Sequence, residues 1–140
     1  MDNCIFCKIA SGEIDSAKIW EDDKVFAFLD VNPLTEGHCL VIPKEHFENI
    51  FDIDENILKE IIFTAKNISK KIKESLSATG VNLVNASGKT AEQSVFHFHL
   101  HIVPRYENDG LKMNDWWQTK SKKADVEELK KLAEEIKSKS

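Results

Sequence analysis

Apolar residues change their spacing several times along the chain, and each change marks an element. Residues 18–21 (KIWE) and 24–30 (KVFAFLD) are rich in β-branched and aromatic side chains, which predicts two strands with Asp22-Asp23 as the hairpin turn between them. Residues 32–37 (NPLTEG) read as a loop, and 38–43 (HCLVIP) as a third strand closed by Pro43. From about 53 to 78 the spacing becomes helical. Ile57, Leu58, Ile61, Ile62, Ala65, Ile68, Ile72 and Leu76 make one stripe, and Lys and Glu fill the other face. Asp52 with Glu55 resembles a capping box, and Gly80 fits just past the end. Residues 81–86 (VNLVNA) predict a fourth strand, 87–94 (SGKTAEQS) a loop, and 95–103 (VFHFHLHIV) a fifth strand stopped by Pro104. Residues 105–123 are irregular and include Trp116 and Trp117. A last helix is predicted over about 125–138, with Val126, Leu129, Leu132, Ala133 and Ile136 on one face. No repeat or linker interrupts the pattern, so a single domain over 1–140 is expected. Mostly hairpin-linked strands with one long helix and a C-terminal helix predict an α+β fold on a five-stranded antiparallel sheet.

Composition narrows the function. The 140 residues are 41% hydrophobic, enough for a core. A net charge of -5 and a pI of about 5.5 give no general attraction for DNA, RNA or anionic membranes. Any phosphate chemistry must therefore come from a local site, and neither a nucleic-acid nor a membrane partner is expected. No apolar run approaches the roughly 18–20 residues that span a bilayer. Met1-Asp2-Asn3-Cys4 lacks the basic and apolar regions of a signal peptide, so a cytoplasmic location is expected. Three cysteines in a reducing compartment predict no disulfide framework.

The chemistry concentrates in the fifth predicted strand. Side chains alternate along a strand, so His97, His99 and His101 should share one face at spacings of about 6.5–7 Å, with Phe96, Phe98, Leu100 and Ile102 on the core face. Three imidazoles on one face are costly to bury, because each ring nitrogen needs a partner. Two uses fit alternate histidines better than a merely solvated face: zinc ligation, or nucleophilic attack by an imidazole that titrates near neutral pH.

At these residues the chain resembles the histidine triad family. HFHLHIV has its His-φ-His-φ-His-φ-φ pattern, where φ is apolar. CIFCKIASGEI, FAFLD, GHCLVIPKEH and NASGKTAEQSVFHFHLH follow in the family's order and spacing, covering about residues 4–105. The branch it is most similar to is the bacterial and archaeal one related to the nucleoside phosphoramidases.

The resemblance implies hydrolysis or transfer of nucleoside monophosphates through a covalent nucleotidyl-histidine. His99, the middle histidine, is then the nucleophile, and His101 bonds phosphate or leaving-group oxygens. His38 matches a fourth histidine near the site; the alternative is a strand-start histidine with a structural hydrogen bond. Gln93 and Ser94 match a Gln-Ser pair beside the phosphate, where Ser94 could help protonate a leaving amine, and Asn85 matches a phosphate or leaving-group contact. Asp30 matches the carboxylate that binds the ribose hydroxyls, with a turn cap before Asn32-Pro33 as the alternative. Ile5, Phe6, Ile9, Leu29 and Val31 match apolar positions around a purine base, although each could equally be core.

Relatives of the phosphoramidase type carry Gly-Gln-Ser where this chain has Glu92-Gln93-Ser94, which puts the substrate rather than the chemistry in question. Family members with a CxxC pair bind zinc through it, so Cys4, Cys7, His46 and His97 are implied to form a closed, structural Cys₂His₂ site that leaves His99 free. The alternative is a reduced cysteine pair without metal. Cys39 is expected to be an inert core residue. The resemblance also implies a homodimer with a continuous ten-stranded sheet, and a C-terminal segment bearing Trp116 and Trp117 that in relatives can reach the partner's active site. Rival functions are a nucleotide-binding regulator with vestigial catalysis, a dinucleoside polyphosphate hydrolase and a nucleotidyl transferase.

Overall fold

A computed structural model describes residues 3–139 of the chain; Met1 and Asp2, part of the N-terminal reading above, lie outside them. The elements run α1 (Ile5–Ala10), β1 (Lys18–Glu21), β2 (Val25–Leu29), β3 (Cys39–Pro43), α2 (Glu55–Ser75), β4 (Gly80–Val84), a 3₁₀ turn (Lys89–Ala91), β5 (Leu100–Arg105), α3 (Asp115–Lys120) and α4 (Val126–Lys137). The five strands form one sheet in the order β1-β2-β3-β5-β4, with every neighbour antiparallel. Asp22 makes the first hairpin by accepting from the backbone N–H groups of Lys24 and Val25 at 2.8 Å.

Alternation along β2 and β3 sends apolar side chains to both faces of the sheet, so each face carries its own core. On one, Val25, Ala27, Cys39, Val41, Leu100 and Ile102 pack under Ile61, Ala65, Ile68 and Ile72 of α2. On the other, Phe26, Phe28, Leu40 and Ile42 pack with Phe6, Ile9 and Ala10 of α1. His101 stands opposite Leu40 in the ladder, which puts it on this second, α1-covered face.

The structure corrects the predicted elements in several places, and α3 lies in the 105–123 stretch expected to be irregular. α1 was not expected. The fifth strand starts at Leu100 rather than Val95, because the Phe98 N–H leaves the ladder to donate to the Phe47 carbonyl at 2.7 Å. Phe96 is accordingly half exposed instead of core. α2 is capped by Asp54, whose carboxylate accepts from Asn56 and Ile57, while Asp52 caps the Glu48-Asn49 turn instead. Gly80 opens β4 and takes no part in ending α2, which stops at Ser75. Ile62 was placed on the buried stripe yet is 49% exposed.

The described chain divides into two compact units between Asp109 and Gly110. The second contains α3 and α4, neither of which buries a residue, and Trp116 and Trp117 are exposed there. No helix among the described residues is long and apolar enough to cross a membrane.

Candidate active site

His97 and His99 precede β5, and only His101 lies within it. The common strand face expected of the three is therefore only partly a strand face. The rings nevertheless form one cluster: His99 and His101 have centroids 5.1 Å apart, and the Phe6 ring meets His97 and His99 edge-on at 5.9 and 5.1 Å.

The hydrogen bonds decide which nitrogen of each ring carries a proton. A carbonyl oxygen can only accept, so His99 Nδ1, 2.8 Å from the His97 carbonyl, is the protonated nitrogen. His99 Nε2 is left with a free lone pair. His97 Nε2 lies 2.8 Å from the Pro43 carbonyl and donates to it, which leaves Nδ1 bare. His38 Nδ1 accepts the backbone N–H of Leu34 at 3.0 Å, so its Nε2 carries hydrogen and donates to His101 Nδ1 at 2.9 Å. His101 in turn keeps its proton on Nε2. Asp30 lies 3.7 Å from His38 Nε2 through Oδ2, and its Oδ1 accepts from the Asn32 N–H at 2.8 Å. Asp30, His38 and His101 bring three donor atoms close together, but His38 presents an N–H to them. His38 and His101 are therefore joined by a hydrogen bond, with the Asp30 carboxylate beside them.

Burial keeps these rings neutral. It pushes His101 down to about 4, with His99 and His38 adding to the shift and Asp30 opposing it. His97 is also pushed down to about 4, chiefly by burial. His99 and His38 are lowered by burial too, against the pull of Asp30 and, for His99, the His97 carbonyl. At neutral pH, His99 thus offers a neutral nitrogen and His101 an N–H donor.

The side chains around them take different parts. Asn85 donates through Nδ2 to the His99 carbonyl at 3.0 Å and accepts from Ser87 Oγ at 2.8 Å, so it steadies the strand entry. Gln93 is buried and Ser94 exposed. Glu92, also exposed, stands at φ 67 and ψ 32. Phe6 and Ile9 are core residues of the α1 face, whereas Ile5, Leu29 and Val31 are 47%, 40% and 87% exposed. Phe28, which no motif in the sequence singles out, packs edge-on against Phe6 at 5.8 Å. Its β2 alternation partner Phe26, one turn of the pleat away on the same face, was the available signal.

On the other side of His97 lies a second cluster. Cys4 Sγ and Cys7 Sγ approach His97 Nδ1 at 3.2 and 3.5 Å, and Cys7 Sγ approaches His46 Nδ1 at 3.5 Å. All four donor atoms lie within 4.8 Å of one another. A tetrahedron built with zinc–sulfur and zinc–nitrogen bonds has S···N edges of about 3.5 Å, so the four donors are already at ligand spacing. The bare Nδ1 of His97 faces the cluster while Nε2–H is anchored, the usual support of a metal-bound imidazole. Burial and the neighbouring Cys4 push the Cys7 thiol up to about 11. A divalent cation among the four donors would supply the charge that turns it into a thiolate. The residues therefore fit zinc. Cys39 sits apart at 0% exposure, its thiol pushed by burial to about 12.

This arrangement, on this sheet, is that of a histidine triad domain. The sequence model of the HIT domain matches residues 11–108, and the chain belongs to that family. Protein hit of Bacillus subtilis is 41% identical over 136 residues, covering 96% of this chain and 92% of its own. An adenosine 5'-monophosphoramidase of Candida albicans is 34% identical over 139 residues, with 96% of this chain and 90% of its own covered. Among solved structures, a Streptococcus mutans protein superposes with a TM-score of 0.90 at 37% identity, covering 99% of this chain and 85% of that one. A zinc-bound histidine triad family protein of Mycobacterium smegmatis gives a TM-score of 0.76 at 36% identity, covering 91% of this chain and 87% of that one.

Proposed function

We propose that the chain hydrolyses or transfers nucleoside 5'-monophosphates from phosphoramidate-type derivatives, with His99 as nucleophile. The observation that carries this reading is the fixed tautomer of His99: Nδ1–H is held by the His97 carbonyl, so the Nε2 lone pair is free to attack phosphorus. As the Nε2–P bond forms, the bond from phosphorus to the leaving group breaks with its electron pair. His101 Nε2–H, oriented through His38, stabilises the negative charge on the phosphoryl or leaving-group oxygens. Ser94 helps deliver a proton to a leaving amine. Water then attacks phosphorus as the P–Nε2 bond breaks with its electron pair onto Nε2, water's proton passes to solvent, and His99 returns to its neutral form. Asp30 binds the ribose hydroxyls, and Ile5, Phe6, Ile9, Leu29 and Val31 hold the base, with a purine as the expected ligand. The adenosine 5'-monophosphoramidase among the relatives supports this substrate class.

Cys4, Cys7, His46 and His97 would hold a structural zinc, supported by the donor spacing and by the zinc-bound relative. With four protein ligands such an ion has no open position and supplies no chemistry to the reaction; its part is to hold His97. The protein acts as a homodimer in the cytoplasm, without nucleic-acid or membrane partners.

The test is turnover of adenosine phosphoramidate with rapid quench of a labelled nucleotide. Wild type should yield an acid-labile, base-stable adduct on His99. His99→Ala should lower turnover by several orders of magnitude while still binding AMP. Near-normal turnover in that variant, or an adduct on another residue, overturns the mechanism. AMP binding by wild type without any turnover would instead identify a nucleotide-binding regulator.

A further inference from the structure

The loop before the triad is tied down by one side chain. Gln93 is only 6% exposed. Its Oε1 accepts the Gly88 N–H at 2.8 Å and Asn49 Nδ2 at 3.4 Å. Its Nε2 donates to the Glu48 carbonyl at 2.7 Å and to the Val95 carbonyl at 3.0 Å. A carboxamide has two lone pairs and two N–H groups, so these four bonds fill it. No donor is left over for a phosphate, and recruiting one would strip a part-buried backbone carbonyl of its partner.

The partners lie on two segments. Gly88 and Val95 bracket the loop that carries Glu92 and Ser94. Glu48 and Asn49 belong to the turn that follows His46, itself capped by Asp52. Two further bonds stitch the same segments: the Ile50 N–H to Ser87 Oγ at 3.0 Å, and the Phe98 N–H to the Phe47 carbonyl at 2.7 Å. Ser87 continues to Asn85 and so to the His99 carbonyl.

We propose that Gln93 is a positioning residue that never touches substrate: its saturated carboxamide locks the 88–95 loop to the 48–49 turn and thereby fixes the backbone that presents Ser94. The consequence for catalysis rests on the function proposed above; the lock itself does not. Loss of the lock lets the loop sample other positions, which weakens transition-state contacts more than the binding of base and ribose, made by other segments.

Gln93→Met keeps the length and removes all four bonds. In the full-length protein, amide exchange at Gly88 should speed up by about tenfold or more, while the β3 amides exchange as in wild type. With adenosine phosphoramidate, kcat should fall roughly 10- to 100-fold with KM changed less than about threefold. Unchanged Gly88 exchange with a large loss of AMP affinity would mean that Gln93 binds phosphate directly, and would overturn the proposal. Faster Gly88 exchange with unaltered kcat would overturn it as well. If wild type turns over no nucleotide, the proposed function fails separately, and amide exchange alone decides: faster Gly88 exchange in Gln93→Met supports the lock, and unchanged exchange overturns it. Should the variant not fold, wild type still decides. The Gln93 side-chain amide protons should exchange far more slowly than those of exposed Gln118, and equal rates would refute the lock.

Discussion

Glu92 occupies the left-handed region because it closes a short turn: its N–H reaches the Lys89 carbonyl, and the next N–H, of Gln93, reaches back to the Gly88 carbonyl. That paired pattern is the Schellman motif, whose left-handed position favours glycine. The family resemblance implies glycine at this position in phosphoramidase-type relatives and points to an electrostatic consequence; the backbone angle supplies a conformational one. A side chain in this region costs about 1 kcal/mol, partly offset by the extra freedom of glycine in the unfolded chain. Glu92→Gly should therefore raise unfolding free energy by about 0.5–1 kcal/mol in urea titrations. A loss of stability would show that the glutamate makes compensating contacts. At the same scale, His101 links stability to pH. Its pKa is near 6.5 in the unfolded chain and about 4 when folded, because burial disfavours the imidazolium. Between these values the unfolded state holds more protons, so stability is full above pH 6.5 and declines as pH falls toward 4. The urea midpoint should follow that course, and His101→Asn should make the decline shallower. An unchanged slope would mean that His101 titrates alike in both states. The histidine pattern was plain in the sequence; which nitrogen each ring protonates was not, since it depends on carbonyls and amides brought in by distant segments.

Elements with a long regular period were legible, and short or interrupted ones were not. α2, with its lysine-rich outer face, was read to within a few residues at each end. α1 has only six residues, too few to establish a period, and in the sequence its Cys4-x-x-Cys7 spacing reads as a metal motif rather than a helix start. The two facts are one structure: Cys4 Sγ accepts the Cys7 N–H at 3.3 Å, so the helix start and the knuckle coincide. The fifth strand was read too long because alternation persists from Val95 to Leu100 although the backbone there pairs with Phe47. Zinc at the knuckle should be found at about one per chain by elemental analysis of protein purified without chelator. Replacing Cys4 and Cys7 together with Ser should remove it and lower Tm by several degrees, since an ion that binds only the folded state stabilises that state. Metal-free protein with an unchanged Tm would count against the site.

At the scale of the whole molecule, the number of strands was legible but their order was not. Hairpin neighbours follow from short turns, whereas the insertion of β5 between β3 and β4 depends on packing under α2. That insertion leaves β1 and β4 as edges. Beside β4 a groove of about 540 Å³ runs along α2, lined by Ile62, Lys66, Val81 and Leu83. An unpaired edge next to half-exposed Ile62 and Leu83 calls for a cover. Pairing of two copies through this edge should give a species of about twice the 16.0 kDa chain mass in light scattering. An active monomer at micromolar concentration would exclude it, and Leu83→Lys should shift the protein toward monomer.

If His99 acts as proposed, the burial of its ring also governs how long a covalent intermediate lasts. Once Nε2 carries the nucleotide, the ring still holds its Nδ1 proton and becomes a cation. The surroundings that lower the pKa of His99 disfavour that cation just as they disfavour the protonated free ring. A phosphorylated imidazolium is already a good leaving group, and a buried one gains further by returning to neutrality. Burial therefore makes the intermediate short-lived, against the bond from Nδ1–H to the His97 carbonyl, which favours the cation, and the intermediate should be caught at millisecond times or hardly at all.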